Sequence, residues 1–367
     1  MNAIMNYYRQ MDPTKIQFDF LCFLSCQTQE ESYEKEILSL GGSITYIKKL
    51  GLKNAFSSLR QLDTFFRTKA KQYDWLQNHE VYLSFLLKPM AAKYGLKHFI
   101  VHCHATKYSD RSLAAFRNHL LCLPIRWMHC KRFACSTDAA SFLYGRKCMK
   151  EQPVFIMRNA IAMERYHFCP EKRTELRRQY QLNNCFVLGH IGRLERQKNH
   201  SFLLDVFALL HQKDPRTRLL LVGDGSLMQL LKNKAKTLEI ADAVLFLGAR
   251  NDVPDLLQAM DLYLLPSLFE GVGISLLEAQ ANGLECLASE FVPKEAAISS
   301  HVHFLPLPST GSESKHEIQI WADKVLTIKN STQPLRNLDV VQAMEQSPYN
   351  IDNAVEELLQ QYQQYQY

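Results

Sequence analysis

From residue 185 onward the chain alternates short apolar runs with amphipathic stretches, and that rhythm leaves few architectures open. Residues 185–191, 218–222, 243–247, 261–265 and 284–288 are too short and too uniformly apolar to be helices. Between them, 199–212, 226–238, 252–259 and 273–282 carry helical spacing. Short buried strands separated by helices predict βαβ units, hence a parallel sheet with helices on both faces. Such a sheet binds its ligands just beyond the carboxyl ends of its strands.

Residues 1–160 read as α/β of less regular rhythm. Strands are expected at 18–24, 43–47, 98–102, 133–136 and 154–157. Residues 2–10 and 30–40 read as helices, the second stopped by Gly41-Gly42. The stretch 54–94 reads as mostly helical, and 111–130 as one long basic helix. A chain of 367 residues exceeds one ordinary core, so two domains are expected. The charged, weakly periodic stretch 158–180 reads as the linker. Residues 308–318 read as a polar loop, and 350–367 as a docking terminal helix.

Charge is uneven. Residues 1–170 hold 24 Lys and Arg against 13 Asp and Glu, and the rest holds 19 against 24. Either the two halves simply carry different solvated surfaces, or the basic half faces an anion such as a membrane or a phosphate-bearing acceptor. No apolar stretch reaches the roughly 18–20 residues of a membrane span, and residues 1–6 lack a signal-peptide pattern. Ten cysteines without paired zinc spacing fit reduced thiols in a cytoplasm. Cys22/Cys26 and Cys130/Cys135 are loosely spaced and have no matching second pair.

The most chemically loaded stretch is 269–278, FEGVGISLLE. It places Glu270, Gly271, Val272, Gly273 and Ile274 between a strand and a helix, with Glu278 further along that helix. Helix starts attract anions, and glycines let a ligand approach the backbone. Two carboxylates flanking such a loop suit a ligand with hydroxyls at both ends and phosphates between. The alternative, a hydrolase pair, needs both carboxyls to face one bond, which the spacing does not favour. After the strand at 185–191, Gly192, Arg193 and Lys198 could neutralise a diphosphate, or they could be solvated loop charges. Gly223-Asp224-Gly225 needs only a tight turn. His102 and His104 point the same way if extended. They could orient a substrate or pair on a metal, but no third ligand is evident, and loop or core histidines are commoner.

Taken together, GRLERQKN, LLLVGDGSL, LFLGARNDVPDLLQAMDLYLLPS, FEGVGISLLEAQANGL and FVPKEA resemble the retaining, nucleotide-sugar-dependent glycosyltransferases of family 4. The wording is nearest the bacterial capsular and exopolysaccharide branch. The resemblance implies a GT-B fold: two Rossmann-like domains with parallel sheets and a cleft between them. The expected division is 1–165 for the acceptor, 166–347 for the donor, and 348–367 as a helix returning to the first domain. It implies a nucleotide-sugar donor, with UDP expected, giving a hexose or N-acetylhexosamine to a lipid-linked saccharide. Arg193 and Lys198 would hold the diphosphate, with Gly192 in their loop. Glu278 would bind the ribose, and Glu270 with the Gly271–Ile274 backbone the sugar. His104, or failing it His102, would act near the reacting carbon. No metal or other cofactor and no nucleic acid is expected. Membrane contact would be peripheral, through the basic first domain, on the cytoplasmic side.

Two departures stand out. Arg158-Asn159-Ala160-Ile161 replaces the usual Asn-Gly-Ile/Val-Asp of the hinge. Relatives also begin with a strand and a glycine-rich loop, whereas residues 2–10 here already look like the first helix. A first domain lacking one strand opens a second reading, an inactive truncated protein serving as partner or scaffold.

Overall fold

The computed structural model describes residues 2–24, 31–51, 54–104, 112–308, 315–331 and 336–364. Cys26, Glu30 of the helix expected at 30–40, residue 111 of the long basic helix, 309–314 of the polar loop and 365–367 of the terminal helix lie outside them. The chain divides into two compact units, one of residues 1–160 with 354–367 and one of 161–353.

Among the described residues, the first unit holds six strands in two parallel sheets. Of these, β1 (Phe20–Leu24) pairs with β2 (Ile44–Lys48) and no other strand among the described residues. β3 (Trp75–Asn78), β4 (His98–Cys103), β5 (Lys131–Ala134) and β6 (Val154–Ile156) form the other sheet in that order. A cavity of about 630 Å³ is lined by residues of both sheets, among them Phe20 and Phe23 of β1 and Trp75 and Leu76 of β3. The core gathers Leu62 and Phe66 of the helix Ala55–Lys69 with Leu87, Phe99, Val101, Ala134 and Leu143. Within this unit the ring of Tyr362 meets Phe18 at 6.2 Å, and its hydroxyl donates to Gln77.

Three expectations need correction here and in the second unit. The stretch 54–94 contains a strand, β3, hidden because its WLQN is only half apolar and lies between helices. The long basic helix ends at Cys122 and tightens into a 3-10 turn over Leu123–Trp127, since Pro124 has no N–H for an α-helical bond. The stretch read as a linker contains the helix Pro170–Gln179, which buries Leu176 and Arg177. Its charge suggested solvent, but Arg173 and Arg177 both bond the Asp261 carboxylate, the second at 3.1 Å.

In the second unit, β7 (Phe186–Ile191), β8 (Thr217–Val222), β9 (Val244–Phe246), β10 (Leu262–Leu265), β11 (Glu285–Ser289) and β12 (Val302–Leu305) form one parallel sheet. Its order is β12-β11-β10-β7-β8-β9. The chain moves outward from β7 to β9, then returns to the middle at β10 and moves outward the other way. β7 and β10 therefore flank the point where strand order reverses, the place where such sheets open a crevice. They meet closely: Gly189 lies opposite Tyr263, and a Cβ at Gly189 would stand 1.9 Å from the Met260 sulfur. His190 Nδ1 hydrogen-bonds the Leu264 carbonyl at 2.7 Å across the same pair.

Candidate functional site

The loops that leave β7 and β10, with the helix Ile274–Ala281 that follows the second, carry the residues proposed for donor binding. They are tied to each other by main-chain and side-chain bonds. The Leu268 N–H donates to the Gln197 carbonyl at 2.8 Å, and the Gln197 amide donates to the Phe269 carbonyl at 2.9 Å. Lys198 Nζ donates to Glu270 Oε1 at 2.6 Å, and Ser267 Oγ donates to the same oxygen at 2.6 Å. Both charged side chains are largely buried, with 15% and 6% of their surface exposed. The sequence reading gave Lys198 to a phosphate and Glu270 to a sugar; here they hold each other. Arg193 is exposed beside them in sequence, and Gly192 is half-buried.

Gly273 adopts φ +79°, ψ 63°, a left-handed conformation open to glycine, and the helix Ile274–Ala281 starts from it. Val272 is buried, while Gly271 would meet nothing if it carried a Cβ. The stretch therefore offers open backbone at a helix start, with the partial positive charge that favours anions. Glu278 stands a little over one turn into this helix, because the helix begins later than its glycines suggest. Its Oε1 accepts from the Tyr166 hydroxyl at 2.7 Å. Burial raises the Glu278 carboxyl above its usual range, against the Tyr166 bond and the Arg165 charge. Tyr166 is itself fixed by Asn282, whose side-chain amide donates to its carbonyl at 2.7 Å. Tyr166 and Ser267 were missed in the sequence. A tyrosine over a hundred residues from its carboxylate leaves no local signal, and Ser267 stands inside an ordinary strand-end turn.

In the first unit, β4 carries His102, and His104 stands just beyond it. β3 pairs with β4 so that Asn78 faces Val101, which sets His79 beside the pair. The rings of His102 and His104 lie 4.1 Å apart, and each is 5.0 Å from that of His79. His79 Nδ1 and His104 Nε2 are 2.7 Å apart. His102 Nδ1 is 2.9 Å from the Gln77 amide nitrogen, and its buried Nε2 has no hydrogen-bond partner. Burial and the neighbouring ring of His104 lower His79 to about 3. Packing around the His104 ring lowers it to about 4 although the residue as a whole is exposed, and burial takes His102 well down. All three imidazoles are neutral at pH 7.

Residues 172–306 match the family described as glycosyl transferases group 1. Over 369 residues the chain is 29% identical to EpsF of Bacillus subtilis (strain 168), which bears the name of a glycosyltransferase; the match covers 98% of this chain and 91% of the relative. It is 26% identical over 280 residues to the UDP-Gal:alpha-D-GlcNAc-diphosphoundecaprenol alpha-1,3-galactosyltransferase of Escherichia coli, covering 71% of this chain and 69% of that one. Among solved structures, Anabaena Alr3699/HepE in complex with UDP and glucose is similar with a TM-score of 0.70 at 16% identity, over 98% of this chain and 94% of that one. The last likeness concerns the fold, which is GT-B. Residues 172–306 thus match the group 1 glycosyltransferases, and the chain is a glycosyltransferase.

Proposed function

We propose that this enzyme moves a hexose or N-acetylhexosamine from a UDP-sugar to a lipid-linked saccharide, with retention of configuration, in exopolysaccharide or capsule synthesis. One observation carries the reading: Arg193, the Lys198–Glu270 pair and the open Gly271–Gly273 backbone stand on the loops that leave β7 and β10, at the sheet's switch point, and Glu278 on the helix that follows. The names of relatives supply the finer terms. The Escherichia coli relative uses UDP-Gal and a diphosphoundecaprenol-linked acceptor, and a shorter match is a Vi polysaccharide biosynthesis protein of Salmonella typhi.

In this reading the diphosphate draws the Lys198 ammonium toward itself, together with Arg193. Glu270 is then released to accept hydrogen bonds from the sugar, and Glu278 accepts from the ribose. The bond from the anomeric carbon to the phosphate oxygen breaks, and the two cations stabilise the charge left on UDP. The acceptor hydroxyl forms the new bond on the same face, and its proton passes to the departing phosphate oxygen. His104 orients the groups near the reacting carbon. No step requires a metal. Contact with the membrane is peripheral, through the basic residues of the first unit; no helix among the described residues is long and apolar enough to cross one.

Calorimetric titration with UDP, GDP and ADP, without added metal, tests the site. Selective UDP binding supports it, and a folded chain that binds none of the three sinks it. Transfer to an undecaprenyl-diphosphate-linked sugar then tests the activity. A second reading, a partner protein that binds nucleotide without turnover, is favoured by the division of the first unit's strands between two sheets. UDP binding with no transfer to any lipid-linked acceptor would select it.

A further inference from the structure

The geometry points to a transition-metal site formed by His79, His102 and His104. One nitrogen from each ring lies within 4.8 Å of the other two, among the described residues. Tetrahedral zinc needs nitrogens about 2.0–2.1 Å from the metal, so the rings have only small shifts to make, His79 and His104 moving slightly apart.

Three features go beyond a chance cluster. First, His102 Nε2 is buried with no partner, although an unsatisfied polar atom there is costly. Second, its other nitrogen is held by Gln77, the outer bond that ligating histidines commonly make to fix their orientation. Turning the Gln77 amide over lets it accept from Nδ1–H, which frees the Nε2 lone pair. The Tyr362 hydroxyl on the same amide can donate or accept in response. Third, the contact between His79 Nδ1 and His104 Nε2 sets two ring nitrogens on one point, where a metal can replace the shared proton. The displaced proton moves to the far nitrogen of whichever ring held it, His79 Nε2 or His104 Nδ1.

The donor set names the ion class. Three imidazoles with no carboxylate suit Zn2+, Co2+, Ni2+ or Cu2+ and do not suit Mg2+ or Ca2+, which take oxygen ligands. His104 is exposed, so the fourth position can be filled by water. The consequence for transfer rests on the role given to His104 above: an ion bound there occupies its nitrogen and inhibits the reaction.

The test uses the full, untagged chain, stripped with a chelator and titrated with Co2+. Tetrahedral visible absorption that saturates at one ion per chain, and that Zn2+ displaces, is expected. His79→Ala and His104→Ala should each weaken binding about tenfold or more, the scale on which metal-site changes act. The control is the other histidine pair, His301 and His303 on Glu285. No binding, or binding lost in His303→Ala and kept in His79→Ala, overturns the site. Zn2+ inhibition of transfer, relieved in His79→Ala, supports the added consequence. Co2+ binding without inhibition keeps the metal site and removes His104 from the transfer step.

Discussion

The Lys198 ammonium and the Glu270 carboxylate meet at 2.6 Å, and this bond joins the loop after β7 to the loop after β10. Two side chains that suit different parts of one donor thus neutralise each other. Breaking one partner leaves a charge in a largely buried place, which typically costs about 3–5 kcal/mol. Lys198→Ala or Glu270→Ala alone is therefore expected to lower stability by an amount of that order and to weaken UDP binding. The pair Lys198→Met with Glu270→Gln removes both charges; it should recover most of the stability in urea unfolding but not the UDP affinity. Recovered affinity in the double variant would show that the pair is structural only.

Glu278 sets stability against binding. Its carboxyl is raised by burial, so the folded chain keeps a proton that the unfolded chain releases. Stability from this group falls as pH rises from the ordinary carboxylate range through the raised folded value, and it stays lost at neutral pH. Glu278→Gln is then expected to raise Tm at neutral pH and to leave it little changed in acid. If Glu278 accepts from the ribose, the same variant weakens UDP about ten- to a hundredfold, since hydrogen bonds to charged groups contribute about 1.5–3 kcal/mol. Thermal scans across pH, with calorimetry at one pH, read both effects.

Asp261 is a structural centre of the second unit. Its carboxylate takes Arg173 and Arg177 from the helix Pro170–Gln179, and the Val187 N–H at 2.7 Å. Asp261→Ala leaves two guanidinium groups near each other without their anion and is expected to cost about 3–5 kcal/mol. Urea unfolding measures the loss, and a change below about 0.5 kcal/mol, the ordinary surface range, would refute the assignment.

Glu285 accepts from His301 at 2.8 Å and from His303 at 2.6 Å. Burial disfavours the charge on Glu285, and the two histidine bonds outweigh it, so its carboxyl is lowered. His301 is raised: burial opposes its charge too, and Glu285 and Asp339 prevail. The Glu285 contribution is present above the ordinary carboxylate range and is lost as pH falls through its lowered folded value. The His301 contribution is present below the ordinary histidine range and is lost as pH rises through its raised folded value. The stabilisation is therefore largest in mildly acidic solution. The Tm difference between the native chain and His301→Ala should shrink as pH rises past neutrality; a difference independent of pH would refute the ionic pairing.

The parallel sheet of the second unit was legible because its strands are buried on both faces. Continuous apolar runs such as Leu219–Leu221 and Leu262–Leu265 then announce themselves one by one, and each lies between helices of clear period. The placing of Glu270, Gly271, Gly273, Lys198 and Glu278 after strands or along a helix was legible for the same reason: it depends on local order alone. In the first unit β3 escaped notice, since WLQN is half polar and only its pairing with β4 makes it a strand.

What no local pattern could supply is which residues meet. The bond between Lys198 and Glu270, the Tyr166 hydroxyl on Glu278, the two arginines on Asp261 and the arrival of His79 beside His102 and His104 join residues that are 23 to 112 positions apart. Strand order decides these meetings: β10 returns to lie beside β7, and β3 lies beside β4. The amino-acid sequence by itself determined the elements, the glycine loop and the kinds of charge near it, because helix period, apolar runs and glycine act over a few residues. The tertiary structure decided how those charges are paired and buried, because partner and solvent exposure belong to the packed chain.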